Sequence, residues 1–577
     1  MSLKIYIEYT IKKEVLQTNK LFGKIQFNGK KSVTFDYLDK TLWEQRGGKR
    51  MNIREQKKPL KYLKGLKGRV QNSFSGFLRA FVVALLVLLQ FAILIFIPFL
   101  LRQNSVYFYI VMEVLGVFAI IALTNDNRSM AYKFAWLCII VVLPISGNIM
   151  FGLWGKVGKN NEVNRRIAER IQEVDKHLIF DRGVEQKFIQ KHPVTSRMSR
   201  YMLAEGSPIY KNNEVRYYEF GEDAFEDMFA DLEKAERFIF LEFFIVAEGA
   251  LWDKLHAVLK QKLMQGVEVK FLYDDFGALL RTGKDYASRL REEGFQVEIF
   301  NPIHKYVSKL FMNFRDHQKI VVVDGNIAYT GGFNIADEYA NLVERFGIWK
   351  DAGIRIRGDA VWGMSIAFLE LWTACAQKES IDYDKYKPTA VFPENDIFCH
   401  VLRDGPALGA RSFVGSVYKQ MIQYAGKTLY VMTPYLVLED TMVDTFLEAV
   451  RRGVDVRIIT PSIPDKKHVK MMTEYNYGIL LKHGVRIYEY TPGFIHSKVV
   501  MNEHCAIIGT INMDYRSFYL HFENGIWVYD KKFRQRVTED FEKTFAQSHE
   551  ILYEAWQERP MKRKIVQRVL HVFDTLV

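Results

Sequence analysis

Apolar and polar positions follow two different patterns along this chain. Three long apolar runs come first. Phe81 to Leu101 contains one strongly polar residue, Gln90; Val106 to Leu123 contains one acid, Glu113; Phe134 to Trp154 carries Pro144 and Gly147. Runs of about 20 apolar residues suit helices that cross a bilayer. Residues 77–155 therefore read as a helical transmembrane region of two or three spans. The first run is too long and too far along the chain for a signal peptide. Residues 156–215 are charged and mostly helical in period, a connector near the membrane surface.

From residue 216 onward, amphipathic helices alternate with short apolar strands. Phe225, Met228, Phe229 and Leu232 share a helical face, as do Leu251, Leu255, Val258 and Leu259, and later Val443, Phe446, Leu447 and Val450. Phe238 to Ile245 is an apolar strand with one acid, Glu242, and a buried carboxylate needs a partner. Leu429 to Tyr435 holds the corresponding place later in the chain. Gly266-Val267-Glu268-Val269 is matched by Gly453-Val454-Asp455-Val456, and Gly294-Phe295-Gln296-Val297 by Gly484-Val485-Arg486-Ile487. This duplication predicts an α/β fold of two pseudo-twofold-related lobes, 216–386 and 387–577, each a mixed sheet flanked by helices.

Each lobe holds the same hairpin. His317-Gln318-Lys319 leads into the β-branched run Ile320 to Val323, then Asp324-Gly325 and a return strand through Ile327 to Tyr329, then Thr330-Gly331-Gly332-Phe333-Asn334. Its echo, 179 residues later, is His496-Ser497-Lys498, an apolar run to Met501, the acid Glu503, and Ile507 to Asn512. In the echo the acid is Glu rather than Asp and the turn is one residue shorter. Residues two apart on a strand share a face, so each His and Lys stand side by side. Twofold pairing of the lobes brings both pairs to one cleft. The glycines Gly331 and Gly332 are expected to let a ligand approach the backbone. A single H-x-K-x4-D match is weak, and its recurrence inside a longer repeat carries the inference.

Charge adds a partner class. The net charge is +13, which favours an anionic partner. Nine basic residues and one acid lie between Lys49 and Arg69. They make residues 51–76 a juxtamembrane basic segment suited to anionic headgroups. Positive charge gathers beside the apolar runs rather than along the lobes between aromatics, which argues against a nuclease. At the C-terminus, Ile565, Val569, Val572 and Phe573 form one face of a helix that also carries Lys562, Arg563, Lys564 and Arg568. Such a helix suits an anionic interface or packs on the second lobe. The four cysteines are scattered, without disulfide or zinc-site spacing. Residues 1–50 carry no site chemistry. They are an extension of their own, or precede a native start at Met51, which follows a run that purine-rich codons can encode.

The duplicated motif resembles the phospholipase D superfamily. Gly331 to Ile335, Trp349-Lys350-Asp351, Thr433-Pro434-Tyr435, Ile487 to Phe494 and Asn512 to Ser517 are similar to bacterial cardiolipin synthases over about residues 130–577. Two His and two Lys at one cleft suit phosphodiester transfer. Lys319 and Lys498 hold non-bridging oxygens, Asn334 and Asn512 add neutral donors, one His attacks phosphorus and the other handles the alcohol's proton. Asp324 and Glu503 are expected to orient the imidazoles or lysines. Spacing leaves the two histidines interchangeable; the resemblance implies His317 as nucleophile and His496 as general acid/base. It also implies that Glu242 neighbours the cleft, the alternative being a structural salt bridge. It further implies phosphatidylglycerol as donor and acceptor, and a bacterial, multi-pass membrane location. A hydrolase or headgroup exchanger of the same fold is the alternative. No Gly-rich loop or metal-ligand spacing appears, so no cofactor or metal is expected. His304, His400 and His521 read as core histidines.

Overall fold

Strands form where β-branched and aromatic residues follow the glycines that end each helix. Gly266, Gly294, Gly453 and Gly484 all have φ between +85° and +100°. That is the left-handed conformation in which glycine closes a helix most cheaply. The strands they release are Glu268–Asp274, Gln296–Phe300, Asp455–Pro461 and Arg486–Tyr490. The computed structural model describes residues 105–577 other than 127, 153–161, 280, 303–313, 377–378, 410 and 576–577, with a few more between 88 and 102. The expectations for residues 1–50, the basic segment and nearly all of the first apolar run lie outside the described residues.

Two mixed sheets carry the fold. The smaller runs Glu214–Tyr218, Gly353–Arg357, Ile327–Gly331, Lys319–Val323, Phe238–Phe243, Glu268–Asp274, Gln296–Phe300 in spatial order. The larger contains Phe398–Asp404, His521–Tyr529, Ala506–Gly509, Val499–Asn502, Thr428–Met432, Asp455–Pro461 and Arg486–Tyr490 in that order. It is extended by Ile209–Tyr210 at one edge and Ser548–Ile551 at the other. In each, three strands run parallel and the motif hairpin adds antiparallel to the first of them. The repeat in the sequence is thus a repeat in strand order and direction.

One continuous core joins the inner faces of both sheets. Phe240, Ile320 and Ile354 come from the smaller sheet, and Tyr430, Ile459 and Ile508 from the larger. The helix Ala360–Cys375, apolar on every side and almost wholly buried, lies in this core. The outer face of each sheet is covered by its amphipathic helices, among them Gly221–Leu232 and Ala250–Met264 on the smaller and Asp440–Arg451 on the larger. The connector residues do not stand apart from this body. Ile171 and Val174 enter the central core, while Val184, Phe188, Met198 and Met202 pack behind the larger sheet.

The second apolar run forms the helix Ser105–Thr124, about 30 Å long at 1.5 Å per residue. It is the one helix among the described residues long and apolar enough to cross a membrane. The third run is not one span. It breaks into Met130–Val142 and Ser146–Met150 around Pro144, which has no N–H to continue the helix. These helices touch the body beside the second motif: Tyr515 packs with Tyr132 and Trp136, and its hydroxyl accepts from Ser129 Oγ at 3.3 Å.

Candidate active site

The acid of each motif is used on the backbone. Asp324 sits at φ +56° in the hairpin turn. Its carboxylate accepts from the N–H groups of Glu236 (2.8 Å), Arg237 (2.7 Å) and Phe238 (2.9 Å), at the start of the neighbouring strand. Glu503 does the same for Gly426 (2.6 Å), Lys427 (3.1 Å) and Thr428 (3.4 Å). One extra methylene in the side chain offsets the shorter turn. The expectation that these acids orient the imidazoles is therefore corrected. Five residues of strand at about 3.3 Å each leave Asp324 roughly 16 Å from Lys319. Glu503 stands in the same relation to its own motif.

The imidazoles are held by other acids, each from the opposite half of the chain. Two short parallel pairings bring them together: Arg315–Asp316 beside His521–Phe522, and Gly493–Ile495 beside Ile348–Lys350. The backbone N–H of His317 donates to Phe522 O at 2.9 Å, and that of His496 to Lys350 O at 2.7 Å. The next residue on each facing strand is a carboxylate. Glu523 accepts from His317 Nδ1 at 2.9 and 3.0 Å. Asp351 accepts from His496 Nδ1 at 2.7 Å. Glu523 is steadied by Thr510 Oγ1, which donates to it at 2.5 Å. The sequence reading missed Glu523 and noted Asp351 only within a longer resemblance. The available signal was an acid two residues after an aromatic ring in each half, Trp349-Lys350-Asp351 and His521-Phe522-Glu523.

Gly331 and Gly332 serve this arrangement rather than a ligand. A Cβ on Gly332 would lie 1.8 Å from Asp351 Oδ1, and one on Gly331 would lie 2.5 Å from Ala352 O. The missing side chains are what let the carboxylate reach His496.

Lys319 Nζ donates to the carbonyl of His317, and Lys498 Nζ to that of His496. Lys498 Nζ also lies 2.8 Å from His496 Nδ1. Burial pushes Lys319 down to about 8 and Lys498 down to about 7. Burial, reinforced by the adjacent lysines, holds His317 well below the usual imidazole range and His496 down to about 4. The charges of Lys498 and His496 act on His317, and that of Lys319 on His496, so the two motifs lie within electrostatic reach of each other. An imidazole whose Nδ1–H is given to a carboxylate presents a free lone pair at Nε2.

Asn334 is buried, its Oδ1 accepting from Ile245 N–H at 2.9 Å and its Nδ2 without a hydrogen bond. Asn512 is buried as well, its Oδ1 without a hydrogen bond. Glu242 lies under the first motif, where its Oε1 accepts from Gln318 Nε2 at 3.2 Å rather than making a salt bridge. Burial, with Asp316 close by, raises its carboxyl well above the usual range. Asp316, raised to about 7 by burial, in turn receives the N–H of Gln318 at 3.0 Å. His400 is a satisfied core histidine, between Ser199 Oγ at 2.8 Å and Ser207. His521 is not one: its ring packs on that of His317, centroids 5.1 Å apart. His304 lies outside the described residues.

Known proteins fit this geometry. The family profile described as "Cardiolipin synthase, PLD-like domain" matches residues 228–351 and 418–545, the two segments that hold the motifs. An uncharacterized protein of Streptococcus mutans is 35% identical over 465 residues, 80% of this chain and 99% of its own length. A cardiolipin synthase of Geobacillus kaustophilus is 32% identical over 482 residues, 82% of this chain and 94% of its own. Among solved structures, the phosphatidylserine synthase of Haemophilus influenzae Rd KW20 shares the fold. It has a TM-score of 0.50 at 15% identity, covering 66% of this chain and 98% of that one. With two family segments on two matching sheets and relatives aligned almost end to end, this chain belongs to the cardiolipin synthase family of the phospholipase D superfamily.

Proposed function

We propose that the protein is a cardiolipin synthase that moves a phosphatidyl group from one phosphatidylglycerol to another, releasing glycerol. The observation that carries this reading is the pair of imidazoles, each with Nδ1 on a carboxylate from the other half and a lysine beside it. His317 Nε2 attacks phosphorus, and the bond to the terminal glycerol oxygen breaks. His496 supplies the proton that this oxygen takes. The second phosphatidylglycerol then gives its hydroxyl proton to His496 and attacks the phosphohistidine, which restores His317. Lys319 and Lys498 hold the non-bridging oxygens through both steps, with Asn334 and Asn512 beside them. One phosphodiester replaces another, so the exchange is nearly isoenergetic and needs no nucleotide.

Glu523 and Asp351 act as positioning residues, fixing the tautomer of each imidazole. Asp324, Glu503 and Glu242 support the scaffold behind the motifs. The matching strand orders support two pseudo-twofold lobes, and the crossed acids support a cleft between them. Attachment to an anionic bilayer agrees with the apolar helix Ser105–Thr124 and with the exposed apolar residues Ile565 and Val569 of the basic helix Met561–His571.

The test uses full-length protein in mixed micelles with phosphatidylglycerol, with mass spectrometry of the lipids and an assay for glycerol. Cardiolipin plus glycerol, lost in His317→Ala, is the expected result. Phosphatidic acid in place of cardiolipin would make water the acceptor and the protein a hydrolase.

A further inference from the structure

The two half-sites differ in the ring that covers each imidazole. Trp349 lies against His496, centroids 5.4 Å apart, and its Nε1–H points to Asp351 Oδ2 at 3.5 Å. His521 lies against His317, and its Nδ1 is 3.5 Å from Glu523 Oε1. The parallel pairings put Trp349 and His521 at matching positions, each two residues before the carboxylate. An indole nitrogen can only donate, whereas an imidazole also offers a lone pair.

The first half-site therefore holds two imidazoles and a carboxylate. One ligand atom from each of His317, His521 and Glu523 falls within 4.8 Å of the others. The two histidines are 7% exposed and Glu523 is 0% exposed. His521 Nδ1 is buried without a hydrogen bond and is aimed at the carboxylate. Such a donor set suits a borderline divalent ion at about 2.0–2.2 Å from each ligand, with a fourth position left for water or a phosphate oxygen.

We propose that His317, His521 and Glu523 form a binding site for a divalent transition metal, Zn²⁺ foremost, and that metal held there stops turnover. Binding at Nδ1 moves the single ring proton of the neutral His317 to Nε2, which removes the lone pair needed for attack, and replaces the His317–Glu523 hydrogen bond with two bonds to the ion. The second half-site has no such site, because Trp349 offers no lone pair. The stoichiometry is one ion per chain. Lys319, Arg516, Lys466 and Arg315 act on the cluster and oppose a further cation. Binding is accordingly weaker than in a closed four-ligand site. The metal site stands on geometry alone; its effect on turnover rests on the proposed role of His317.

The test titrates metal-free, full-length protein with Zn²⁺ against a chromophoric chelator, records the absorption of the Co²⁺ form, and follows glycerol release with and without EDTA. One Zn²⁺ per chain, a four-coordinate Co²⁺ spectrum and inhibition reversed by EDTA are expected. In His521→Trp, which copies the second half-site, and in His521→Asn, affinity falls at least about tenfold and inhibition falls with it. No stoichiometric binding, or equal affinity in both folded variants, would overturn the site. Stoichiometric binding with undiminished turnover would overturn the inhibitory role and count against His317 as nucleophile, while leaving the metal site in place.

Discussion

Glu523 holds His317 Nδ1 at 2.9 Å across 206 residues of chain. Asp351 holds His496 Nδ1 at 2.7 Å across 145 residues, in the opposite direction. Each motif imidazole is thus oriented by an acid from the other half of the chain. Neither half carries a complete site, and a shift of one sheet against the other disturbs both imidazoles together.

Glu523→Gln keeps the shape of this contact and loses its charge. An amide can accept the Nδ1 proton but does not favour an imidazolium, and it can turn to offer an N–H that stabilises the wrong tautomer. Turnover is expected to fall about 10³- to 10⁴-fold, the scale seen when a buried triad Asp becomes Asn, with KM little changed. Steady-state kinetics on phosphatidylglycerol micelles measure it. A loss below tenfold would remove Glu523 from the positioning role.

Glu503→Ala leaves three backbone N–H groups of residues 426–428 without their acceptor. The expected cost is about 1–3 kcal/mol of stability, read as a lower denaturation midpoint, with kcat per folded molecule unchanged. Asp324→Ala should behave alike. A large loss of kcat in a fully folded Glu503→Ala protein would return Glu503 to the chemistry.

Gly332→Ala tests the approach of Asp351 to His496. The new Cβ meets Asp351 Oδ1 at 1.8 Å, a distance that forces the carboxylate aside. Activity should drop about as far as in Asp351→Asn while circular dichroism stays unchanged. Wild-type turnover in the alanine variant would show that His496 does not depend on this contact.

Burial places Lys498 at about 7 and Lys319 at about 8, and the role proposed for both requires the ammonium form. The two lysines should therefore make kcat/KM fall as pH rises through 7 to 8, above a separate limb near pH 4 set by His496, which must carry the proton it gives. Bound phosphodiester favours the ammonium forms and shifts the corresponding limb of kcat to higher pH. Stability runs the other way. An unfolded lysine keeps its proton up to about pH 10.4. Between pH 8 and 10 the unfolded chain thus binds more protons, and these two groups make stability rise with pH. Paired pH–rate and denaturation profiles check both signs.

Among the described residues, the helix Met561–His571 is held along one edge. Arg563 and Gln567 bond to Glu474, and His571 stacks on Tyr475. Ile565 and Val569 remain exposed beside its basic residues. The double variant Ile565→Glu, Val569→Glu should raise the apparent KM for phosphatidylglycerol in surface-dilution assays and leave kcat unchanged. An unaltered KM would confine this helix to packing on the body.

Periodicity alone carried much of the fold. Apolar spacing marked the helices Gly221–Leu232, Ala250–Met264 and Asp440–Arg451 and the strands between them, because burial of one face imposes a period of 3.6 or 2 on local sequence. The H-x-K spacing put His317 near Lys319 and His496 near Lys498, although each histidine lies in the break between two strands rather than on one, and duplication marked both pairs as related. Tertiary structure alone decided which acids serve them. Asp324 and Glu503 hold a position seven residues after each His, yet a strand carries them away from it to bind backbone N–H groups. Asp351 and Glu523 reach the imidazoles through parallel pairings between distant segments. A hydrogen bond spanning 145 or 206 residues leaves no trace in local spacing. The same holds for the ring that each imidazole meets, Trp349 in one half-site and His521 in the other.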